Sequence, residues 1–367
     1  MEKVLIAPGR YVQGSGAVAS IGKHAANFGK KALAIGGKRG LNEVRTALEG
    51  ALKSAGIGLV AESFGGECSK KEIDRLLAAA RAAGADFIIG VGGGKAIDTA
   101  KAVAFYGKMP VAVLPTIAAT DAPCSALAVI YTEDGVFDSY LLLPSNPNLV
   151  LVDTAIVARA PVRLLVSGMG DALATWFEAE SCSKAHRCNM PGGLTGMTAL
   201  SLARLCYDTL ITWGPQAVLA AEKGVPTEAL EHIVEANTLL SGLGFESGGL
   251  AAAHAIHNGF TVLPETHGVY HGEKVSFGTL VQLTLEGREP EEIEEVLTFC
   301  VKVGLPITLA QLGVENPTEE KLRNVAAAAT AEGESIHNEP FAVTAESVYN
   351  AIIAADAIGS HFRASVK

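Results

Sequence analysis

Positive charge is scarce in this 367-residue chain: 29 Lys and Arg stand against 39 Asp and Glu, a formal net charge of −10. A protein that neutralises a phosphate backbone carries the opposite excess, so a nucleic-acid partner is excluded. No uninterrupted apolar stretch approaches the ~20 residues that span a bilayer, which excludes a membrane helix. The first residues set charge on both sides of a four-residue apolar run, which is not the pattern of a signal peptide. Cysteine is thinly spread: Cys68, Cys124, Cys182, Cys188, Cys206 and Cys300 include no pair at the short spacing of a zinc knuckle or a thioredoxin motif. Free thiols in a reducing cytoplasm are the simplest account. Tandem repeats, low-complexity tracts and flexible linkers are also missing.

What is present is core material. Hydrophobic residues make up 49% of the chain and charged residues 19%, which argues against disorder. At about 150 residues per domain the length predicts roughly two domains. Through about Asp153, short apolar runs at 32–35, 59–64, 87–91, 111–114 and 149–152 alternate with helical stretches. One of these opens with Ser69 and Glu72, a capping signature. Nearly continuous apolar strands separated by helices indicate a parallel sheet. Beyond that point helical patterns follow one another, at 172–181, 196–210, 226–241 and 345–362. The expectation is an α/β domain at 1–160 with a Rossmann-like parallel sheet, then an all-α domain at 161–367. A cleft between two such domains is a common ligand site.

Three segments carry candidate chemistry. In the first, a buried strand runs into Gly92-Gly93-Gly94-Lys95 and a helix follows through Asp98. Glycines admit a ligand close to the backbone, and a helix start offers unpaired N–H groups, so the turn suits a phosphate. The plain alternative is a tight turn with no ligand, and the spacing is not G-x-G-x-x-G. The second, Leu114 to Tyr131, follows a strand and is dense in hydroxyls, with Asp121 its one carboxylate. Read alone, it is a polar loop satisfying its own backbone as readily as a site. In the third, Asp171 lies near an expected helix start, where a carboxylate also complements the helix dipole. His254 and His257 share a helix face at i and i+3, and His271 precedes another apolar periodic run. Imidazoles plus a carboxylate suit Zn2+ or Fe2+, although a helical histidine pair is also an ordinary structural feature.

Taken together, Gly-Gly-Gly-Lys at 92–95, Thr-Asp-Ala-Pro at 120–123, Gly-Asp-Ala-Leu-Ala-Thr at 170–175, the run 244–254 ending in His254, and His-Gly-Glu-Lys at 271–274 resemble the iron-containing alcohol dehydrogenase family. The resemblance is to its glycerol-oxidising branch, and it extends from Pro8 to the C-terminal helical pattern. It implies that Asp171, His254 and His271 ligate one metal ion, Zn2+ or alternatively Fe2+, and through it meet the substrate, while His257 stands by without ligating. It implies dinucleotide contacts from Gly92, Gly93, Gly94, Lys95 and Asp98. Thr116, Ala119, Ser125, Leu127 and Tyr131 would line the nicotinamide half, Ala119 through its backbone or methyl only. Asp121 would contact the substrate, making Asp121, Asp171, His254 and His271 the catalytic set. The implied reaction is oxidation of glycerol, or a related small vicinal diol, with hydride transfer to NAD. A homo-oligomer, up to an octamer, is implied as well. One position departs from the pattern: where family members carry an acidic residue for the adenosine ribose, this chain has Gly37, followed by Lys38 and Arg39. The rival reading is a relative acting on a phosphorylated substrate, such as glycerol-1-phosphate. It needs a cationic pocket, and segments 118–131 and 244–263 contain no Lys or Arg. A nucleotide sensor without catalysis is the other rival, and the intact Asp/His/His set weighs against it.

Overall fold

The computed structural model describes residues 2–366, which form two compact units. One unit holds Ile6–Pro161 together with Ala220–Gly242; the other holds Val162–Leu219, the chain from Leu243 onward, and the N-terminal residues through Leu5. The return of Ala220–Gly242 to the first unit was not legible in the sequence. Helical periodicity reports what an element is, not which core it joins.

In the first unit the strands are β1 (Tyr11–Gly14), β2 (Lys31–Gly36), β3 (Gly58–Ser63), β4 (Phe87–Gly92), β5 (Val111–Pro115), β6 (Leu127–Tyr131), β7 (Phe137–Leu142) and β8 (Leu149–Asp153). Six of them form one sheet in the order β1-β8-β5-β4-β2-β3, and every pairing in it is parallel. β4, β5 and β8 are buried along their whole length, as their unbroken apolar runs require. The direction of strand addition reverses between β2 and β4. An open parallel sheet binds ligands beyond the carboxyl ends of its strands at such a point. Helix Lys38–Ser54 turns Leu41, Val44, Leu48 and Leu52 inward. These join Val18, Ile21, Phe87, Ile89 and Leu149 in the core on that face.

Sequence periodicity missed β1 and the antiparallel pair β6-β7. β1 is four residues long and only half-buried, and β6 alternates buried with half-buried positions. The segment expected to be a polar loop as far as Tyr131 is therefore a loop only up to Ala126, and its last five residues are a strand. The expected cap at Ser69 forms: its Oγ accepts the Glu72 N–H at 3.3 Å. The Glu72 carboxylate does not close a box but accepts from Gly65 N–H at 2.8 Å.

The second unit is built from helices, among them Val162–Lys184, Ala252–Phe260, His271–Glu286 and Ala345–Ser365. Two of these cross at glycines. A Cβ on Gly272 would lie 1.8 Å from the Ser167 carbonyl oxygen, and one on Gly170 would lie 2.3 Å from the Gly272 oxygen. Only hydrogen at both places lets the start of helix His271–Glu286 rest on the middle of helix Val162–Lys184. Among the described residues, no helix is long and apolar enough to cross a membrane.

Candidate active site

That crossing sets Asp171 opposite His271. Helix Val162–Lys184 begins nine residues before Asp171, so the expectation of a carboxylate near a helix start is corrected. Mid-helix and buried, Asp171 gains nothing from the dipole's positive end. Its Oδ1 lies 3.0 Å from His271 Nε2 and 3.3 Å from His254 Nε2. The donor atoms of these three side chains lie within 4.8 Å of one another.

The outer nitrogens of both histidines are held. His254 Nδ1 lies 2.6 Å from Glu178 Oε2, and the other Glu178 oxygen accepts from the N–H groups of Ala251 and His254 at 2.9 and 3.0 Å. His271 Nδ1 lies 3.0 Å from His257 Nε2, and His257 Nδ1 lies 3.1 Å from Asn258 Oδ1. Asn258 donates through Nδ2 to Glu334 at 3.0 Å, which leaves its oxygen for His257. The chain assigns one set of protons: His257 carries its proton on Nδ1, accepts at Nε2, and receives the His271 Nδ1 proton. Both His254 and His271 therefore present Nε2 to Asp171. His257 shares the helix face of His254 but serves His271.

Electrostatics agree with this assignment. Burial raises the Asp171 carboxyl, but His271 and His254 outweigh it and hold the group well below the carboxylate range. For His254, burial disfavours charge, yet Glu178 and Asp171 lift it well above an ordinary imidazole. Burial, His271 and Lys274 push His257 well below one, keeping it neutral. With both Nδ1 atoms committed, two Nε2 atoms can face one carboxylate oxygen only if they carry extra protons or if a cation lies among them. The three side chains fit a metal ion for that reason. Sequence reading missed Glu178, although Asp171 and Glu178 are seven residues apart on one helix face and that spacing was available.

The remaining residues singled out from the sequence belong to the first unit. Gly92 adopts φ 138° at the end of β4, a conformation suited to glycine, and helix Gly94–Gly107 follows with Gly93 as its N-cap. Thr116, beyond β5, donates its N–H to the Gly92 oxygen at 3.0 Å, so the ends of β4 and β5 meet at this turn. Lys95 is exposed and pairs with Glu67 at 2.6 Å, with its ammonium 5.0 Å from the Tyr131 ring centre. Glu67 was not foreseen. Asp98 is buried and faces the interior. It pairs with the buried Lys101 at 2.9 Å and accepts the Val129 N–H at 3.1 Å. Lys101 also donates to the Ala122 oxygen at 2.9 Å and to that of Leu127. Asp98 thus anchors the segment that carries Ser125 and Leu127 instead of presenting its carboxylate outward. Ser125 is buried and donates to the Ala122 oxygen at 3.3 Å, while Thr116, Ala119, Leu127 and Tyr131 are half-buried. Asp121 accepts from Ser241 Oγ at 2.9 Å.

A family model described as iron-containing alcohol dehydrogenase matches residues 8–154. The chain is 55% identical over 364 residues to glycerol dehydrogenase of Citrobacter freundii, covering 99% of this chain and all of that one. It is 46% identical over 363 residues to glycolaldehyde reductase of Halobacterium salinarum, covering 99% and 100%. Among solved structures, glycerol dehydrogenase from Schizosaccharomyces pombe superposes with a TM-score of 0.94 at 40% identity, covering all of this chain and 93% of that one.

Proposed function

Since the chain belongs to the iron-containing alcohol dehydrogenase family, we propose that it oxidises glycerol to dihydroxyacetone with NAD as hydride acceptor and a divalent metal held by Asp171, His254 and His271. The observation that carries this reading is the convergence of those three side chains, in a chain that aligns end to end with glycerol dehydrogenases. When bound, the metal supplies Lewis acidity toward a hydroxyl and the nicotinamide supplies the hydride acceptor. The protein supplies everything else. Glu178 and His257 fix the imidazole planes, so that both Nε2 lone pairs point to one place. Three protein donors leave open positions of the kind a catalytic ion keeps, and two adjacent hydroxyls of a polyol suit them. Asp121 orients the polyol as a hydrogen-bond acceptor, and Ser241 fixes that carboxylate. The turn Gly92–Gly94 offers backbone N–H groups to the pyrophosphate, and Lys95 exchanges Glu67 for it. Zn2+ is the proposed ion. A substrate carrying phosphate is not favoured.

No disulfide joins the six cysteines, which supports a reducing, cytoplasmic setting. Phe137, Tyr140 and Leu142 are exposed on β7, which supports a homo-oligomer.

The test pairs metal analysis with a panel of glycerol, propane-1,2-diol, glycolaldehyde and glycerol phosphates. Chelation should abolish NAD reduction and Zn2+ should restore it. His271→Ala should lose both metal and turnover while keeping its circular dichroism. His257→Ala should keep one equivalent of metal at an affinity lowered about 10- to 100-fold, as expected when a ligand loses its outer hydrogen bond. Full activity in metal-free protein would overturn the proposal.

A further inference from the structure

We propose that this chain takes the 2′-phosphate of NADP at Lys38 and Arg39, so that it discriminates weakly between NADP and NAD. The inference rests on the dinucleotide reading above and concerns which dinucleotides that site admits. The sheet reverses between β2 and β4, so a ligand seated on the Gly92–Gly94 turn has the end of β5 on one side and the end of β2 on the other. Residues assigned to the nicotinamide half follow β5, which leaves the β2 side for adenosine. Helix Lys38–Ser54 starts against that turn, where a Cβ on Gly40 would lie 3.6 Å from Gly92 Cα.

A carboxylate after such a strand accepts from the ribose 2′-hydroxyl and repels a 2′-phosphate. Here the position is Gly37, the helix N-cap, with extended backbone and no side-chain cap. A Cβ at Gly37 would meet nothing within 4 Å, so the space a carboxylate would occupy is open. Lys38 and Arg39 follow at once, both exposed, and neither has an ion-pair or hydrogen-bond partner among the described residues. With Asn42 and Glu43 they line a depression of about 500 Å3. Glu43 is the one anion there, and Arg159 pairs with it at 2.6 Å. Two unpaired cations, an amide and open space suit a phosphate dianion.

The test is equilibrium binding of 2′,5′-ADP and of 5′-ADP by calorimetry, followed by kcat/KM for both cofactors. The two probes should bind within about tenfold of each other. Lys38→Ala/Arg39→Ala should shift the ratio against 2′,5′-ADP by about tenfold or more, and Gly37→Asp should shift it the same way. If 5′-ADP binds and 2′,5′-ADP is weaker by about a hundredfold or more in the unaltered protein, the inference falls and the dinucleotide reading stands. A ratio unmoved by either variant also overturns it. If neither probe nor NAD binds, the dinucleotide reading itself has failed.

Discussion

Glu339 shows what a single buried carboxyl costs and how it is relieved. One oxygen accepts the Ala252 N–H at 3.2 Å, while the other is buried without a donor. Burial, with Glu286 alongside, pushes its pKa from 4.5 up to about 9. At neutral pH the folded protein therefore holds a proton here that the unfolded chain has released. The stability this group contributes is fully present below about pH 4.5 and is lost as pH rises toward 9. Each pH unit across that window removes at most about 1.4 kcal/mol. Glutamine keeps the acceptor for Ala252 and supplies a permanent donor toward Glu286. Glu339→Gln is thus expected to match the unaltered protein near pH 5 and to exceed it in melting temperature increasingly up to pH 9. A gap that does not widen with pH would show that Glu339 is ionised in the folded state.

Among the elements, the crossing of helices Val162–Lys184 and His271–Glu286 is the one that brings Asp171 and His271 together. Gly272→Ala would place a methyl against the Ser167 carbonyl, which is backbone and has little room to give. Overpacking of this kind costs about 1–3 kcal/mol, occasionally more. A lower urea midpoint is expected, together with weaker metal binding as His271 moves off Asp171; an unchanged midpoint would contradict the packing described. This contact also shows what sequence could and could not convey. That His254, His271 and Asp171 would converge was legible because their residue types and a family resemblance named them as a set. That Asp171 sits mid-helix was not legible, because Ser167, Gly168 and Gly170 read as a cap and breakers just ahead of it, although the helix already begins after Pro161. Asp98 reads as an acid beside a glycine turn, and its pairing with Lys101 three residues on was an available but unused signal. β7, Phe-Asp-Ser-Tyr-Leu-Leu, went unseen because its mixed, largely exposed residues resemble a polar loop, whereas β6, Leu-Ala-Val-Ile-Tyr, is an apolar run whose signal was available and unused. Gly37 stood out only as an absence, and the open space around it became visible through the backbone.

At the scale of the whole molecule, Ala220–Gly242 decides what counts as a unit. Gln13 Nε2 donates to the Glu231 carboxylate at 2.8 Å, and Asn237 Nδ2 donates to the Ala118 oxygen at 2.9 Å. The Tyr11 hydroxyl lies 2.8 Å from Thr238 Oγ1. A fragment of residues 6–161 alone would leave β1 and the loop after β5 without these partners. Such a fragment is expected to lack a cooperative urea transition, and joining 220–242 to it through a flexible linker should restore one. Cooperative unfolding of 6–161 by itself would show that the returning segment is dispensable.

That returning segment also orders events in time. A chain leaving the ribosome from its N-terminus at about 5–20 residues per second exposes the whole parallel sheet early, yet cannot complete that unit until Gly242 has emerged. By then Asp171 has emerged, but neither His254 nor His271 has. The nascent protein thus closes its nucleotide-type unit before two of the three proposed metal donors leave the ribosome, and uptake of an ion there becomes one of the last steps of its biogenesis.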